Sequence, residues 1–371
     1  MRAFFSGDLC IKSTITNEFI SKDLKDKIEE CEIVYTNLEG PCLRERDILP
    51  IKKAGPAISQ NKDNVRILKK IGFNLFGLAN NHIMDYGKKG LEDTLSVLKD
   101  CGASYIGAGL SEEEAYSVYR YVKDCRVSVI AVAEKQFGCI NDSTCGFAWM
   151  NDSRVEEIIR SEKKISDYVI VTCHCGAELF DKPLPEVRFL YKNFIDFGAD
   201  AVIGHHPHIC QGIEEYKGRP IFYSLGNFAF EDFGDYPLDV AYIGAVVVID
   251  IDSAKKMTYE ILPVAYNSEG ITLCDEEKFI RWITGKSIEL KEQQKYLNEI
   301  NNYCIKIYDN VYEDYILKGC GLYFHSFKSS LSTLVKLMLK RRDKDYLLQW
   351  HNFAVETNRW IIERALSLKH N

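Results

Sequence analysis

The sequence predicts an α/β protein with a helical extension at its carboxyl end, and three observations support this prediction. Up to about residue 270, short runs of β-branched and aromatic residues alternate with segments of helical period. From about residue 275 onward, the strand signal disappears. The 371 residues are 46% hydrophobic and 27% charged, a composition typical of a globular protein with a substantial core. The alternation favours a partly parallel sheet covered by helices on both faces.

The strand candidates have the length and the apolar content of buried strands. A longer pair at the end of the series is joined by a tight polar turn. In chain order the candidates are residues 2–8, 32–39, 74–80, 104–109, 126–134, 167–175, 199–206, 219–228, 239–252 and 255–266.

Helical segments lie between the later strands and fill the end of the chain. They are residues 88–100, 154–165 and 185–197, followed by 276–303, 329–342 and 346–368. We find no internal repeat and no low-complexity linker. We therefore divide the chain into a main domain, residues 1–270, and a helical extension, residues 271–371, that packs on it.

Charge and cysteine content restrict the partners and the compartment. The formal net charge of −7 argues against nucleic-acid binding, although residues 271–371 carry 16 basic and 13 acidic residues. No apolar stretch approaches the roughly 18 to 20 residues that a membrane span requires, and the amino-terminal end does not resemble a cleaved signal. Thirteen cysteines without framework spacing are typical of free thiols. We expect a cytoplasmic protein without an integral membrane segment.

The predicted helix 329–342 is amphipathic. Leu331, Leu334, Val335 and Met338 share one face, and basic residues follow them. Such a helix can lie on a membrane surface or can pack on the main domain. We expect packing, and the helices of the extension could also contact a partner protein.

Side chains that can bind metals collect at the carboxyl ends of the predicted strands, which border the ligand crevice of an open α/β sheet. Five of the eight histidines lie there, and Gly204 before the last three would let the backbone approach an ion. Imidazole, carboxylate and amide oxygen together suit Mn, Fe or Zn. The candidates are Asp8, Asn37, Glu39, Asn80, Asn81, His82, His174, His205, His206 and His208.

The candidates exceed one coordination shell, so we expect two divalent ions. An ion pair of this kind, about 3.5 to 4 Å apart, can clamp the oxygens of a phosphoryl group. A histidine that is not a ligand can then serve as general acid. His82 is the candidate for this role, with Asp85 to orient it.

Six segments resemble, in order, the motifs of the CapA family, bacterial proteins named for poly-γ-glutamate capsule synthesis within the calcineurin-like metallophosphoesterase superfamily. The resemblance covers about 70% of the chain, roughly residues 1 to 265. The segments are GDLCI, NLEGP, LANNHIMDYG, HCGAE, GADAVIGHHPHICQGIE and IFYSLGNF.

The resemblance implies a four-layer α/β/β/α metallophosphoesterase-like sandwich with a dinuclear Mn, Fe or Zn centre. Glu39 stands where the superfamily has its bridging aspartate, and His82 matches the general acid. The implied metal ligands are Asp8, Glu39, Asn81, His174, His206 and His208.

Departures from the family pattern leave five residues with open roles. Cys10 replaces the histidine of the first Asp-x-His motif, as a thiolate ligand or as a buried inert cysteine. His205 falls outside the His-x-His pattern and lines the site. Cys175 stands where the family commonly has tryptophan, and Glu178 either binds substrate or holds a loop. Asn227 contacts the site or stabilises a turn.

The residues and the resemblance favour a metal-dependent hydrolase that acts on phosphoesters in capsule or surface-polymer metabolism. The substrate would be an anionic small molecule or polymer. Hydrolysis of a γ-glutamyl amide by the same centre is one alternative. A second is a non-catalytic accessory protein that binds the polymer, and a third is a scaffold whose basic helical tail recruits a partner enzyme.

Overall fold

The structure, a computed structural model, describes residues 1–45, 47–231, 243–324, 326–339 and 344–370. The chain forms two compact units. The first comprises Met1–Ile51, Ala57–Glu134 and Gly138–Glu292. The second comprises Lys52–Pro56, Lys135–Phe137 and Gln293–Asn371.

All strands of the described residues lie in the first unit. They are β1 Arg2–Cys10, β2 Ile33–Leu38, β3 Leu75–Gly77, β4 Ser104–Ile106, β5 Ala108–Gly109, β6 Tyr119–Val122, β7 Arg126–Ala133, β8 Gly146–Phe147, β9 Tyr168–His174, β10 Ala201–His205, β11 Ile213–Tyr216, β12 Arg219–Phe222, β13 Asn227–Phe230, β14 Ile243–Ile251, β15 Met257–Asn267 and β16 Gly270–Leu273.

The helices belong to both units. They are α1 Lys22–Glu29, α2 Lys62–Ile71, α3 Gly87–Asp100, α4 Glu112–Ala115, α5 Ser153–Ile165, α6 Pro185–Phe197, α7 Glu276–Glu289, α8 Gln293–Ile307, α9 Glu313–Gly319, α10 Phe327–Met338, α11 Tyr346–Ala354 and α12 Glu356–His370.

The first unit contains two large sheets. In one, the strand order is β16-β15-β14-β1-β2-β3-β4, with β13 also paired to β1. In the other, the order is β11-β12-β10-β9-β7-β6, and β7, β9, β10 and β12 run parallel. The predicted mixed α/β fold with helices at the carboxyl end is therefore confirmed.

The two sheets share one buried core. Tyr35 of β2 donates its hydroxyl hydrogen to Thr172 Oγ1 of β9 at 3.1 Å, and both side chains are buried. Apolar side chains of both sheets, such as Phe5, Ile170 and Ile203, belong to the same cluster. Helices α5 and α6 pack on β9 and β10 respectively. The site described below lies at the ends of these strands.

Local sequence signals explain where the helices begin and end. The Asn61 side chain caps α2 by accepting the backbone N–H of Asp63 at 3.1 Å, and Gly72 ends the helix at φ +132°. Helix α6 begins with Pro185 in its first turn and ends at Gly198, with φ +124°. The predicted helices 88–100, 154–165 and 185–197 correspond to α3, α5 and α6.

Two segments predicted as single strands each form two strands, so these predictions are wrong. Residues 104–109 divide into β4 and β5, because Gly107 at φ +95° turns the chain out of the first sheet. Residues 219–228 divide into β12 and β13 at Gly226, with φ +66°, and the two halves join different sheets. Of the predicted strand 239–252, residues 239–242 lie outside the described residues.

Two predicted helices are also divided. Residues 276–303 form α7 and α8. Residues 346–368 form α11 and α12, since Val355 takes the extended conformation, φ −69° and ψ 121°. The predicted helix 329–342 corresponds to α10, and residues 340–342 lie outside the described residues. Leu331, Leu334, Val335 and Met338 on its apolar face are exposed.

The second unit consists of helices α8 to α12 and a π-helical turn, Tyr308–Tyr312. Helices α8 and α12 pack against each other and bury Ile300, Cys304 and Ile361. Lys135 donates its backbone N–H to Glu356 Oε2 at 2.8 Å, within the same unit. Among the described residues of both units, no helix has the length and apolar content that crossing a membrane requires.

Candidate metal centre

The carboxyl ends of strands from both sheets carry the predicted site. In the first sheet, the register pairs Asp8 of β1 with Asn37 of β2. In the second sheet, it pairs His174 of β9 with His205 of β10. Aligned strand ends therefore bring acidic side chains of one sheet close to imidazoles of the other.

Two groups of donor atoms overlap at one carboxylate. One group is Asp8, Glu39 and His174, and the other is Glu39, His206 and His208. Within each group the donor atoms lie within 4.8 Å of one another, and all five side chains are buried. Glu39 belongs to both groups, which is the arrangement that a carboxylate bridging two ions requires.

Asparagine side chains fix the imidazole rings. The two ring nitrogens of His174 lie 3.1 Å from Asn37 Nδ2 and 2.9 Å from Asn81 Oδ1. His208 donates Nδ1–H to Asn227 Oδ1 at 2.8 Å, which leaves Nε2 with its lone pair, 3.7 Å from Glu39 Oε1. Such contacts behind a ligand orient its ring and set its tautomer.

The turn around Pro207 brings His206 and His208 together. Both histidines have positive φ, +94° and +59°, where residues other than glycine are strained. The backbone N–H of His206 donates to Asp8 Oδ2 at 3.0 Å and helps to hold this turn. Gly204 also accommodates the neighbouring strand, because a Cβ there would meet the carbonyl oxygen of Tyr223 at 2.0 Å.

Burial keeps the imidazoles of His174 and His206 neutral. It lowers the pKa of His206 from 6.5 to about 4, although the charge of Glu178 opposes this effect. Burial, with repulsion from His206, also lowers the pKa of His174 well below its ordinary value. The pKa of Asp8 is below its usual range: burial raises it, but the nearby imidazoles, first His205 and then His174 and His208, outweigh burial. At neutral pH the site therefore presents an ionised Asp8 beside neutral His174 and His206.

His82 and Asp85 form a hydrogen-bonded pair beside the donor groups. The distance from His82 Nδ1 to Asp85 Oδ2 is 2.7 Å, and Asp85 Oδ2 also accepts the backbone N–H of Ile58 at 2.8 Å. The other ring nitrogen of His82, Nε2, lies 3.9 Å from Glu39 Oε1. The ring is thus held with one nitrogen toward the centre, as the predicted roles of this pair require.

The remaining candidates occupy different places. Asn80 donates to Asn37 Oδ1 at 3.3 Å and to the Leu38 carbonyl at 2.9 Å, so it ties two strand ends together. Neither ring nitrogen of His205 has a hydrogen-bond partner in the described part of the chain, and Nδ1 lies 3.3 Å from Asp8 Oδ1. His205 is a member of neither donor group.

Cys10 and Glu178 lie at the margins of the site. Cys10 packs in a small apolar cluster with Ile58 and Phe230, and burial followed by the charge of Glu39 raises the pKa of its thiol. It belongs to neither donor group among the described residues. The Glu178 side chain is exposed, although its charge acts on His206.

Glu134 is a site residue that sequence reasoning missed. It directly follows β7, is buried, and places Oε1 3.7 Å from His206 Nε2. Its backbone N–H donates to the carbonyl of His174 at 3.0 Å. Its place at the end of the predicted strand 126–134 is the only hint of it in the sequence, and that place alone does not show that it lies near His206.

The donor set fits divalent metal ions. Carboxylates and neutral imidazoles are buried at mutual distances that ligands of a common ion can have, and buried carboxylates require compensating charge. Nitrogen and oxygen donors of this kind suit Mn, Fe or Zn.

The family described as "Bacterial capsule synthesis protein PGA_cap" matches residues 2–232. The chain is 34% identical over 223 residues to "Capsule biosynthesis protein CapA" of Bacillus anthracis, covering 58% of this chain and 54% of that protein. It is 35% identical over 207 residues to "PGA biosynthesis protein CapA" of Bacillus subtilis strain 168, covering 54% of this chain and 53% of that protein.

A more distant relative has a different description. The "Probable polyglutamine synthesis accessory protein" of Mycobacterium tuberculosis strain H37Rv is 29% identical over 224 residues, which cover 54% of this chain and 58% of that protein. The chain thus spans little more than half the length of the relatives named here.

Proposed function

The chain belongs to the family of bacterial capsule synthesis proteins, and from this premise we propose that it is a metal-dependent hydrolase of capsule or surface-polymer metabolism. Phosphoester hydrolysis is the reaction that the site supports best. The observation that carries the proposal is Glu39, shared by two buried donor groups, with the His82–Asp85 pair beside it.

Two divalent ions, Mn, Fe or Zn, would be held by Asp8, Glu39 and His174 on one side and by Glu39, His206 and His208 on the other. Asn81 would add its amide oxygen to the first set, since Oδ1 lies 2.9 Å from His174 Nε2. When bound, such a pair supplies a nucleophilic hydroxide and neutralises charge on a phosphoryl group.

The protein's own residues supply the proton. In its cationic form, His82 donates Nδ1–H to Asp85 Oδ2, so the second proton is held at Nε2 on the side of Glu39. From there it can be given to the oxygen of the leaving group. Asp85 keeps the ring in this orientation, because its carboxylate is itself held by the backbone N–H of Ile58.

A cavity supports an anionic substrate. It has a volume of about 630 Å³, and its charged lining residues are three basic ones, Lys12, Arg44 and Lys62, and two acidic ones, Glu45 and Asp63. Gln60 also lines this cavity, and its Nε2 donates to the carbonyl oxygen of Glu39 at 2.9 Å. The cavity therefore borders the loop that presents Glu39, and its basic side chains suit an acidic polymer.

We infer that the two sheets form the inner layers of a four-layer α/β/β/α sandwich. The buried hydrogen bond from Tyr35 to Thr172 joins the sheets, and α5 and α6 pack on the second one. Such an arrangement would place the strand ends of both sheets at one edge, as a dinuclear centre with ligands from both requires.

A non-catalytic accessory role is the second candidate. The description of the Mycobacterium tuberculosis relative as an accessory protein favours it, and the lysines and the arginine of the cavity could bind the acidic polymer without cleavage. Hydrolysis of a γ-glutamyl amide would use the same residues. An oriented His82 favours a hydrolase, because binding alone needs no general acid.

Hydrolysis assays on the full chain loaded with Mn²⁺ test the proposal. A generic phosphodiester and a generic phosphomonoester serve as substrates, with bound metal measured in parallel. We expect His82→Ala to retain metal but to lose about 10²- to 10⁴-fold in kcat. His206→Ala should lose both metal and activity, whereas His370→Ala, an exposed histidine, should behave as wild type.

The result that would contradict the proposal is a wild-type protein with two ions bound and no turnover of either ester. Binding of the acidic polymer by that same preparation would then establish the accessory role. Release of glutamate from the polymer would instead establish amide hydrolysis.

A further inference from the structure

Helix α10 carries an apolar stripe on its exposed side. Phe327 is 87% exposed, Leu331 53%, Leu334 50% and Met338 73%. Their spacing of four, three and four residues places them on one helix face, and Val335 widens the stripe. A contiguous exposed apolar surface of this kind marks an interaction site.

The opposite side of α10 is held by polar contacts. Thr333 is buried, donates its hydroxyl hydrogen to the Tyr323 carbonyl at 2.7 Å and accepts the Tyr323 N–H at 3.0 Å. Ser326 and Ser329 form a capping box at the start of the helix. Thr333 thus anchors one side of the helix to the segment before it, and the apolar stripe lies on the exposed side.

The charge around the stripe is positive. The twelve residues of α10 include Lys328 and Lys336 and no aspartate or glutamate. In the sequence, residues 340–344 add four basic residues and one aspartate. This basic segment belongs to a chain with a net charge of −7, so its charge is local and complementary to an anionic surface.

We infer that α10 is a membrane-surface helix that binds anionic phospholipids. Basic residues would contact the headgroups, and the stripe from Phe327 to Met338 would enter the boundary between headgroups and acyl chains. The charge favours anionic lipid over a protein partner, because α10 carries two lysines and no acidic side chain. The inference does not depend on the proposed hydrolase activity.

Vesicle flotation of the full chain tests this inference. Vesicles of phosphatidylcholine alone are compared with vesicles in which about one third of the lipid is phosphatidylglycerol. We expect binding to the anionic vesicles only, and weaker binding as salt is raised. Leu334→Asp should reduce the partition constant between water and the anionic vesicles about tenfold or more. The variant loses the burial of a leucine side chain and adds a negative charge that the anionic lipids repel.

Ser332→Asp is the matched control, since it adds the same charge at an exposed position outside the stripe. It should retain most of the binding, and both variants should unfold at the wild-type temperature. Absence of binding to anionic vesicles would overturn the inference, as would equal losses in the two variants. A concentration-dependent dimer that Leu334→Asp abolishes, without vesicle binding, would assign the stripe to a second copy of the chain.

Discussion

At the scale of single residues, Glu39 determines what the site can do. Its Oε1 lies 3.7 Å from the Nε2 atoms of both His174 and His208, and 3.9 Å from Nε2 of His82. One buried carboxylate thus faces three imidazoles that come from three different segments of the chain. A glutamate at this position reaches farther than an aspartate, and this reach lets it contact both donor groups.

The lowered pKa of His206 predicts that the metal-free protein loses stability in mild acid. Unfolded, His206 binds a proton below about pH 6.5, whereas burial in the folded state lowers its pKa to about 4. Between these values the unfolded state holds the extra proton, so stability falls as pH falls. The slope from one such group is about 1.4 kcal/mol per pH unit.

Urea denaturation of chelator-treated protein between about pH 7 and about pH 5 measures this slope. His206→Gln should flatten it, while His370→Gln, at an exposed histidine, should leave it unchanged. An identical slope in wild type and His206→Gln would show that this imidazole is not buried in its neutral form.

Glu134 is a residue of the site that could not be predicted from the sequence. His174, His206 and His208 were predicted from their places at strand ends and from the resemblance to the CapA family, and the structure places them together with Asp8 and Glu39. Glu134 follows a strand in the same way, but one glutamate after an apolar run carries no spacing signal. Its proximity to His206 depends on β7 lying next to β9, which periodicity alone does not determine.

We predict that Glu134→Gln weakens metal binding about 10- to 100-fold, the usual effect of losing a charged partner behind a histidine ligand. Its Oε1 lies 3.7 Å from His206 Nε2, so the substitution removes a negative charge beside that ring. Titration with Mn²⁺ measures the affinity. Glu162→Gln is the control, because Glu162 is equally buried but pairs with Arg120; equal losses in both variants would rule out a specific role.

At the scale of elements, glycines determine how closely the strand ends approach one another. A Cβ on Gly204 of β10 would lie 2.0 Å from the Tyr223 carbonyl oxygen, which is backbone and cannot move alone. We therefore predict that Gly204→Ala destabilises the protein by about 1 to 3 kcal/mol or more. Because His205 and His206 follow immediately, metal affinity should fall as well.

Gly285→Ala provides the contrast in the same unit. No atom lies within 4 Å of a Cβ built there, and Gly285 lies within helix α7. The substitution should stabilise the protein by about 0.5 to 1 kcal/mol, through helix propensity. Thermal unfolding of both variants measures the effects, and equal shifts in one direction would contradict this account.

Strands with strong apolar runs, such as β1, β7 and β9, were predictable because burial leaves a continuous signal in the sequence. The divisions at Gly107 and Gly226 were not, because an apolar run does not reveal which sheet each half joins. Strand β11 was also missed, since its sequence Ile-Glu-Glu-Tyr has little apolar character for a short edge strand.

At the scale of the whole molecule, net charge and local charge oppose each other. The chain carries −7 overall, which repels an acidic polymer at long range. The cavity that borders the Glu39 loop nevertheless has three basic residues, Lys12, Arg44 and Lys62, against two acidic ones, Glu45 and Asp63, in its lining. Recognition of an anionic substrate would therefore depend on these few side chains rather than on the general surface.

This contrast predicts that Lys62→Gln raises KM for short oligomers of the acidic polymer about two- to fivefold, with little change in kcat. An increase of this size is what the loss of one partly exposed charge pair produces. Lys62 is half-buried in the cavity wall, where its Nζ donates to the Arg44 carbonyl at 3.4 Å. Lys164→Gln makes the same change in net charge at an exposed position of α5 and should leave KM unchanged. The difference between the variants should shrink as salt is raised, because screening weakens the local attraction. Equal increases in KM for both variants would show that overall charge, and not the cavity, governs binding.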